Sequence, residues 1–189
     1  MRSFHVVFTA AVATLMPVAC NAKTIMDYLR TDDRLYEARS IAEEAGILDD
    51  IDPSRFGTQL TLMLPSNEAF DQLHADHPKW RGALINNKQN VETLILFAAS
   101  DMVVTPASIR SGKWEAEGSI VSLLSETASI APDGYVCVSD YTRTASCDDP
   151  DSLPCCAMVD LDNVMVADDG YIYLVDAVMM PQEIVDKLP

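Results

Sequence analysis

The feature that most constrains this chain is a change of texture near Ser119. Before it, apolar residues recur mostly at helical spacing. After it come six short apolar, β-branched runs, "SIVSLL", "TASIA", "YVCVS", "AMVDL", "NVMVA" and "YIYLVDAVMM", separated by turn signals such as "PDG" and "DDG". Helices first and a strand meander later predict an α+β domain. A length of 189 residues gives one real core and no evident second domain, and there is no internal repeat.

The helical half can be read further. "KTIMDYLRTDDRLYEARSIAEEAGILDD" predicts two helices, the first capped by Thr24 and the second carrying Leu35, Ala38, Ala42 and Ala45 on one stripe. Gly46 suits a left-handed helix end. Thr58 to Leu64 is strand-like. Pro65 ends it, having no N–H for a ladder. Ser66 then caps the next helix, with Glu68 near its positive end. Val91, Leu94, Ile95 and Ala98 form an apolar stripe on a central helix. Thr105 and Pro106 open a short capped turn.

The formal charge of −16 leaves no basic patch for a phosphate backbone, so nucleic acid is not expected as a partner. Acidity of this kind usually means a solvated surface, with a cation-carrying matrix or mineral partner as the sharper reading. Arg2 followed by the 11-residue apolar run Val6–Met16 and Pro17 reads as an export signal over residues 1–22, cleaved after Ala22. The run is too short to span a bilayer, and no other transmembrane segment is expected. A lipoprotein reading, with Cys20 acylated, has Pro17 where Leu normally stands.

Removing Cys20 leaves Cys137, Cys147, Cys155 and Cys156, an even set in an exported chain. They read as two disulfides, with a zinc site as the weaker rival. Successive side chains of extended backbone point oppositely, so Cys155 and Cys156 are expected to reach different partners. Those partners are Cys137 and Cys147, in either pairing; a vicinal Cys155–Cys156 bond is the strained third option.

The chain offers little chemistry. His74 and His77 stand at i and i+3 near Asp71, a weak metal arrangement that more often forms a solvated helix edge. No nucleophile–base set, phosphate loop or EF-hand spacing is present. Among 29 acids some pair always exists, and nothing selects one for glycoside hydrolysis. No catalysis, metal or cofactor is expected.

"LTLMLPSNEAF" resembles the first signature of the fasciclin (FAS1) family, T-x-F-A-P-[TS]-N-x-A-F, through Thr61, Pro65, Ser66, Asn67, Ala69 and Phe70. "DGYIYLVDAVMMP" resembles the second, N-G-x-I-H-x-I-D-x-V-L-x-P, through Gly170, Ile172, Asp176, Val178 and Pro181. The likeness runs in order across the chain after residue 22. It implies a β-wedge of short, mainly antiparallel strands with N-terminal and central helices packed on it. One such domain would cover 23–189, with a cysteine-rich insert around 137–156. It also implies that Ser66, Asn67 and Asp176 hold the fold.

Three departures bear on function. The Tyr-His pair of many members falls on Phe97-Ala98. The His of the second signature is Tyr173. The Asp-Ile pair linked to integrin binding in some animal members falls on Val164-Met165, so the residues of that route are replaced here.

The resemblance therefore implies a non-catalytic adhesion or matrix-binding module, secreted or held at a cell surface or in a periplasm. Its partner would be an extracellular protein or polysaccharide, met by an exposed face of the wedge or by the insert. Asp148, Asp149 and Asp151 give that insert an acidic tip. The alternative is a secreted carrier of an apolar small molecule such as a carotenoid, since some algal relatives of the family are similar acidic carotenoid binders. The 9 Met and the apolar central helix permit an adaptable groove, although core filling explains Met equally.

Overall fold

The computed structural model describes residues 23–50, 59–116, 118–138 and 156–186; the expected export signal lies outside them. Helix α1 (Ile25–Thr31) starts at Thr24, whose hydroxyl accepts from Asp27 N at 3.1 Å while Thr24 N donates back to the Asp27 carboxylate at 2.9 Å. That reciprocal box satisfies two otherwise orphaned donors. A 3-10 turn (Asp33–Leu35) leads into α2 (Tyr36–Glu44), and Gly46, at φ +67°, ends the turn after it. The stripe read from the sequence is partly core: Leu35 and Ala42 are buried, Ala38 and Ala45 half-buried.

Strand β1 (Leu60–Pro65) passes into α3 (Asn67–Asp76) across Ser66, whose Oγ accepts from Ala69 N at 3.2 Å. The abrupt junction is thus a strand end and a helix cap on consecutive residues. Helices α4 (Trp80–Ile85) and α5 (Lys88–Ala98) follow, and α5 runs directly into β2 (Ala99–Ser100). The short α6 (Pro106–Arg110) has Thr105 as cap and Pro106 at its start, as its sequence predicts. The strand-rich half supplies β3 (Ile120–Val121), β4 (Thr127–Ile130), β5 (Tyr135–Val138), β6 (Cys156–Met158), β7 (Met165–Ala167) and β8 (Gly170–Val175). Helix α7 (Gln182–Val185) closes the described chain.

The strands form two four-stranded sheets, ordered β2-β1-β8-β7 and β3-β4-β5-β6. The pairings are antiparallel except at the centre of the first sheet, where β1 and β8 run parallel from Leu60↔Gly170 to Pro65↔Val175. That one pair joins segments more than a hundred residues apart, so the rest of the domain is its crossover. Gly170 makes the approach possible: a Cβ there would lie 1.9 Å from the Leu60 carbonyl oxygen.

Alternation along β1 and β8 divides the interior. Leu60, Leu62, Leu64, Ile172 and Leu174 pack with Ile25, Leu29 and Leu35 beneath α1. Tyr173 and Val175 point the other way, into a second cluster with Ile120, Ile130 and Val136 of the other sheet. Helices α2 to α5 enclose a third cluster around Phe70, Trp80 and Leu84. The sheets meet where the chain leaving β6 crosses the end of β8: Asp160 N donates to Leu174 O and Asp176 N to Met158 O, at 2.9 and 3.1 Å. The result is the mixed α+β wedge expected from the sequence, its strands mainly antiparallel.

Candidate functional site

The two sequence signatures come together in adjacent strands, and their polar groups are spent inside the protein. Thr61 is buried; its hydroxyl donates to Met102 O at 2.7 Å and accepts from Val104 N at 3.1 Å. Tyr173, on the neighbouring strand, donates to Val104 O at 2.6 Å. Together they fix the loop leading into α6. Burial raises the Tyr173 phenol well above its ordinary pKa. Asn67 donates to Asp33 O at 2.8 Å and accepts from Glu37 N at 3.0 Å, tying the start of α3 to the start of α2. Asp176 accepts from Met158 N at 2.7 Å and so supports the join between the sheets. Phe70 stacks on Trp80 with ring centroids 5.7 Å apart. Ile172 and Pro181 are buried.

The departures also have places. Phe97 is buried in the core between the sheets, and Tyr173 occupies the position of the family His as a wholly buried hydroxyl donor. Met165 is buried on β7 and Val164 half-buried before it, so that pair presents no charged or polar side chain outward. His74 lies in the last turn of α3 and His77 caps that helix. Among the described residues no cluster of His, Cys, Asp and Glu could hold a metal ion.

A disulfide joins Cys137 to Cys156, which face each other across β5 and β6 with their Cα atoms 4.2 Å apart. Both lie on the sheet face opposite the buried Val136 and Ala157. The same outer face carries the exposed Tyr135, Met158 and, two strands away, Val121. The bond closes the base of the insert. Cys147, Cys155, Asp148, Asp149 and Asp151 lie outside the described residues.

The groove that the apolar central helix permits has a counterpart in an apolar cleft between the helices and the two sheets. Val91, Leu94, Ile95 and Ala98 all line it, facing Met63 on β1 and Ala128, Val136 and Val138 on the second sheet. The cavity measures about 90 Å³. A second apolar cavity of about 60 Å³ lies beside it and shares Ala38, Leu64, Ile95 and Ala99 as walls. The α5 stripe carries the sequence signal for it, and the structure shows that stripe covered only in part. Val91 is buried, whereas Leu94, Ile95 and Ala98 are half-buried.

Electrostatic pairing is concentrated at the helical end. Arg81 bridges Glu37 at 2.6 Å and Glu44 at 2.5 Å, linking α4 to α2. Asp32, bonded by the Arg34 side chain, is held at a pKa of about 2. The Arg81 pairs brace α4 against α2, and none of these charged residues lines either cavity.

The family model of the Fasciclin domain matches residues 33–181. Among solved structures the fold is similar to a FAS1 domain pair from the insect cell adhesion molecule fasciclin I, with a TM-score of 0.56, 11% identity and coverage of 86% of this chain. This chain covers 52% of that one, about half its length. No curated protein matches the chain.

Proposed function

The chain belongs to the fasciclin domain family, and from that premise we propose that it is a non-catalytic binding module of the extracellular space. Domains of this family are typically adhesion-related, generally non-catalytic and usually extracellular or surface-associated. Among the described residues no helix is long and apolar enough to cross a membrane. The module adheres to an extracellular protein or polysaccharide through a single domain over 23–189, exported by cleavage of residues 1–22. The observation that supports it is the Cys137–Cys156 bond, which fastens both ends of the cysteine-rich insert to one rigid sheet face. Loops held by a rigid scaffold are where binding residues concentrate. Asp148, Asp149 and Asp151 would then meet a cationic or calcium-bridged partner. The experiment is capture of matrix proteins and polysaccharides on the immobilised mature chain, across a salt series. Binding should weaken as salt rises, because the Debye length is only about 10 Å at 0.1 M. It should weaken equally when the three Asp become Asn. Binding indifferent to both changes would remove the insert from the account.

A second reading, a carrier of an apolar small molecule such as a carotenoid, draws support from the cleft under α5. Organic extraction of the secreted protein tests it: a stoichiometric apolar compound favours the carrier, and a clean extract favours adhesion.

A further inference from the structure

We propose that the exposed pair Tyr135 and Met158, with the carboxylates of Asp133 and Asp176 beside it, is a docking point for an Arg or Lys side chain on a basic segment of another extracellular protein. The inference rests on the adhesion reading and places a contact on the outer sheet face, apart from the acidic tip of the insert. The strand register makes the pair. Tyr135 stands opposite Met158 across β5 and β6. Met158 N donates to Asp176 Oδ1 at 2.7 Å and Met158 O accepts from Asp176 N at 3.1 Å, so both groups point away from β5. The two residues are therefore opposed without hydrogen bonds between them, the arrangement that brings cross-strand side chains closest. They are 48% and 38% exposed, at the end of the strands away from the insert.

Charge selects the occupant. Asp133 Oδ1 accepts from Tyr135 N at 3.2 Å, as Asp176 Oδ1 does from Met158 N, so each exposed side chain has a carboxylate bonded to its own backbone N–H. Both acids are exposed, and among the described residues neither forms an ion pair. Each carboxylate keeps lone pairs for a further donor. The face of an aromatic ring attracts a cation, and carboxylates alongside it strengthen the attraction. Two carboxylates are too few to hold a metal ion, and among the described residues no larger cluster of such ligands exists. The apolar stem of Arg or Lys can instead lie on Met158 while its charged head meets the ring and the acids. The formal charge of −16 disfavours a second copy of this chain, or an anionic polysaccharide, at this face.

The probe is a short oligoarginine peptide, titrated into the isotopically labelled secreted chain at about 0.15 M salt, where long-range charge is screened. The side-chain resonances of Tyr135 and Met158 should shift saturably. Tyr135→Ser changes no charge and should weaken binding about threefold, the worth of one exposed cation–π contact, and Tyr135→Phe should bind as the wild type does. Asp133→Ser keeps an acceptor for Tyr135 N and should weaken binding by a similar factor. Glu43→Gln, an equal loss of charge on α2, should leave it unchanged. If Tyr135→Ser binds as the wild type does, or if Asp133→Ser and Glu43→Gln weaken binding alike, the interaction is a diffuse charge effect and the site is wrong. Shifts at Tyr135 with laminarin, a neutral glucan, and none with oligoarginine would also overturn it, in favour of a polysaccharide. Matrix proteins captured in full by Tyr135→Ser would leave the adhesion reading standing and remove this site. Saturable oligoarginine binding with no matrix protein captured would do the reverse.

Discussion

The hydroxyl of Tyr173, in the middle of β8, donates to the carbonyl of Val104 at 2.6 Å, where neither residue is exposed to solvent. The same Val104 donates its N–H to Thr61 on the parallel neighbour β1. One backbone unit thus accepts from one signature strand and donates to the other.

Removing that hydroxyl should be felt. Tyr173→Phe leaves the buried Val104 carbonyl without its donor and should cost about 1–3 kcal/mol in urea unfolding. The phenol's pKa is raised by burial from its ordinary 10.0, so the unfolded chain ionises first and stability should fall as pH rises above 10.0. Tyr173→Phe should remove part of that alkaline loss. A variant as stable as the wild type at every pH would contradict the assignment.

The junction after β1 gives a smaller expectation. Ser66→Ala deletes the acceptor for Ala69 N and should lower stability by about 1 kcal/mol. Partner binding should survive wherever the variant stays folded. Wild-type stability with binding lost would instead place Ser66 in a contact surface.

Two glycines should respond in opposite senses. Gly170→Ala sets a methyl group against the Leu60 carbonyl, at a backbone φ of +150°, and should cost more than about 3 kcal/mol or prevent folding. Gly82, exposed within α4, has nothing within 4 Å of an added Cβ. Gly82→Ala should stabilise by about 0.5–1 kcal/mol in thermal or urea unfolding.

Peptide mapping without reduction should recover Cys137 linked to Cys156. It should also recover Cys147 linked to Cys155, which is the remaining pair. Replacing Cys137 and Cys156 together by Ser should lower stability by about 3 kcal/mol, the entropy-model figure for a loop of this size. Freshly secreted protein with four alkylatable thiols would refute both bridges.

Much of the architecture was legible in the chain because it is written in local chemistry. Thr24, Ser66 and Thr105 cap helices since their hydroxyls reach backbone donors two or three residues away. The strand-rich half announces itself by β-branched runs between turn residues. The sequence alone also left Cys137 with two alternatives; the pairing of β5 with β6 brings it to Cys156. What only the tertiary structure decided depends on contacts between distant segments. The parallel union of β1 with β8 has no short-range signal, since its register is set by Gly170 meeting Leu60 across the whole domain. Tyr173 stands out in the sequence only as a departure from the signature His, and its bond to Val104 is visible only in the fold. The α5 stripe shows the same limit: spacing says which side of a helix is apolar, and only the placement of the second sheet leaves that side facing a cleft.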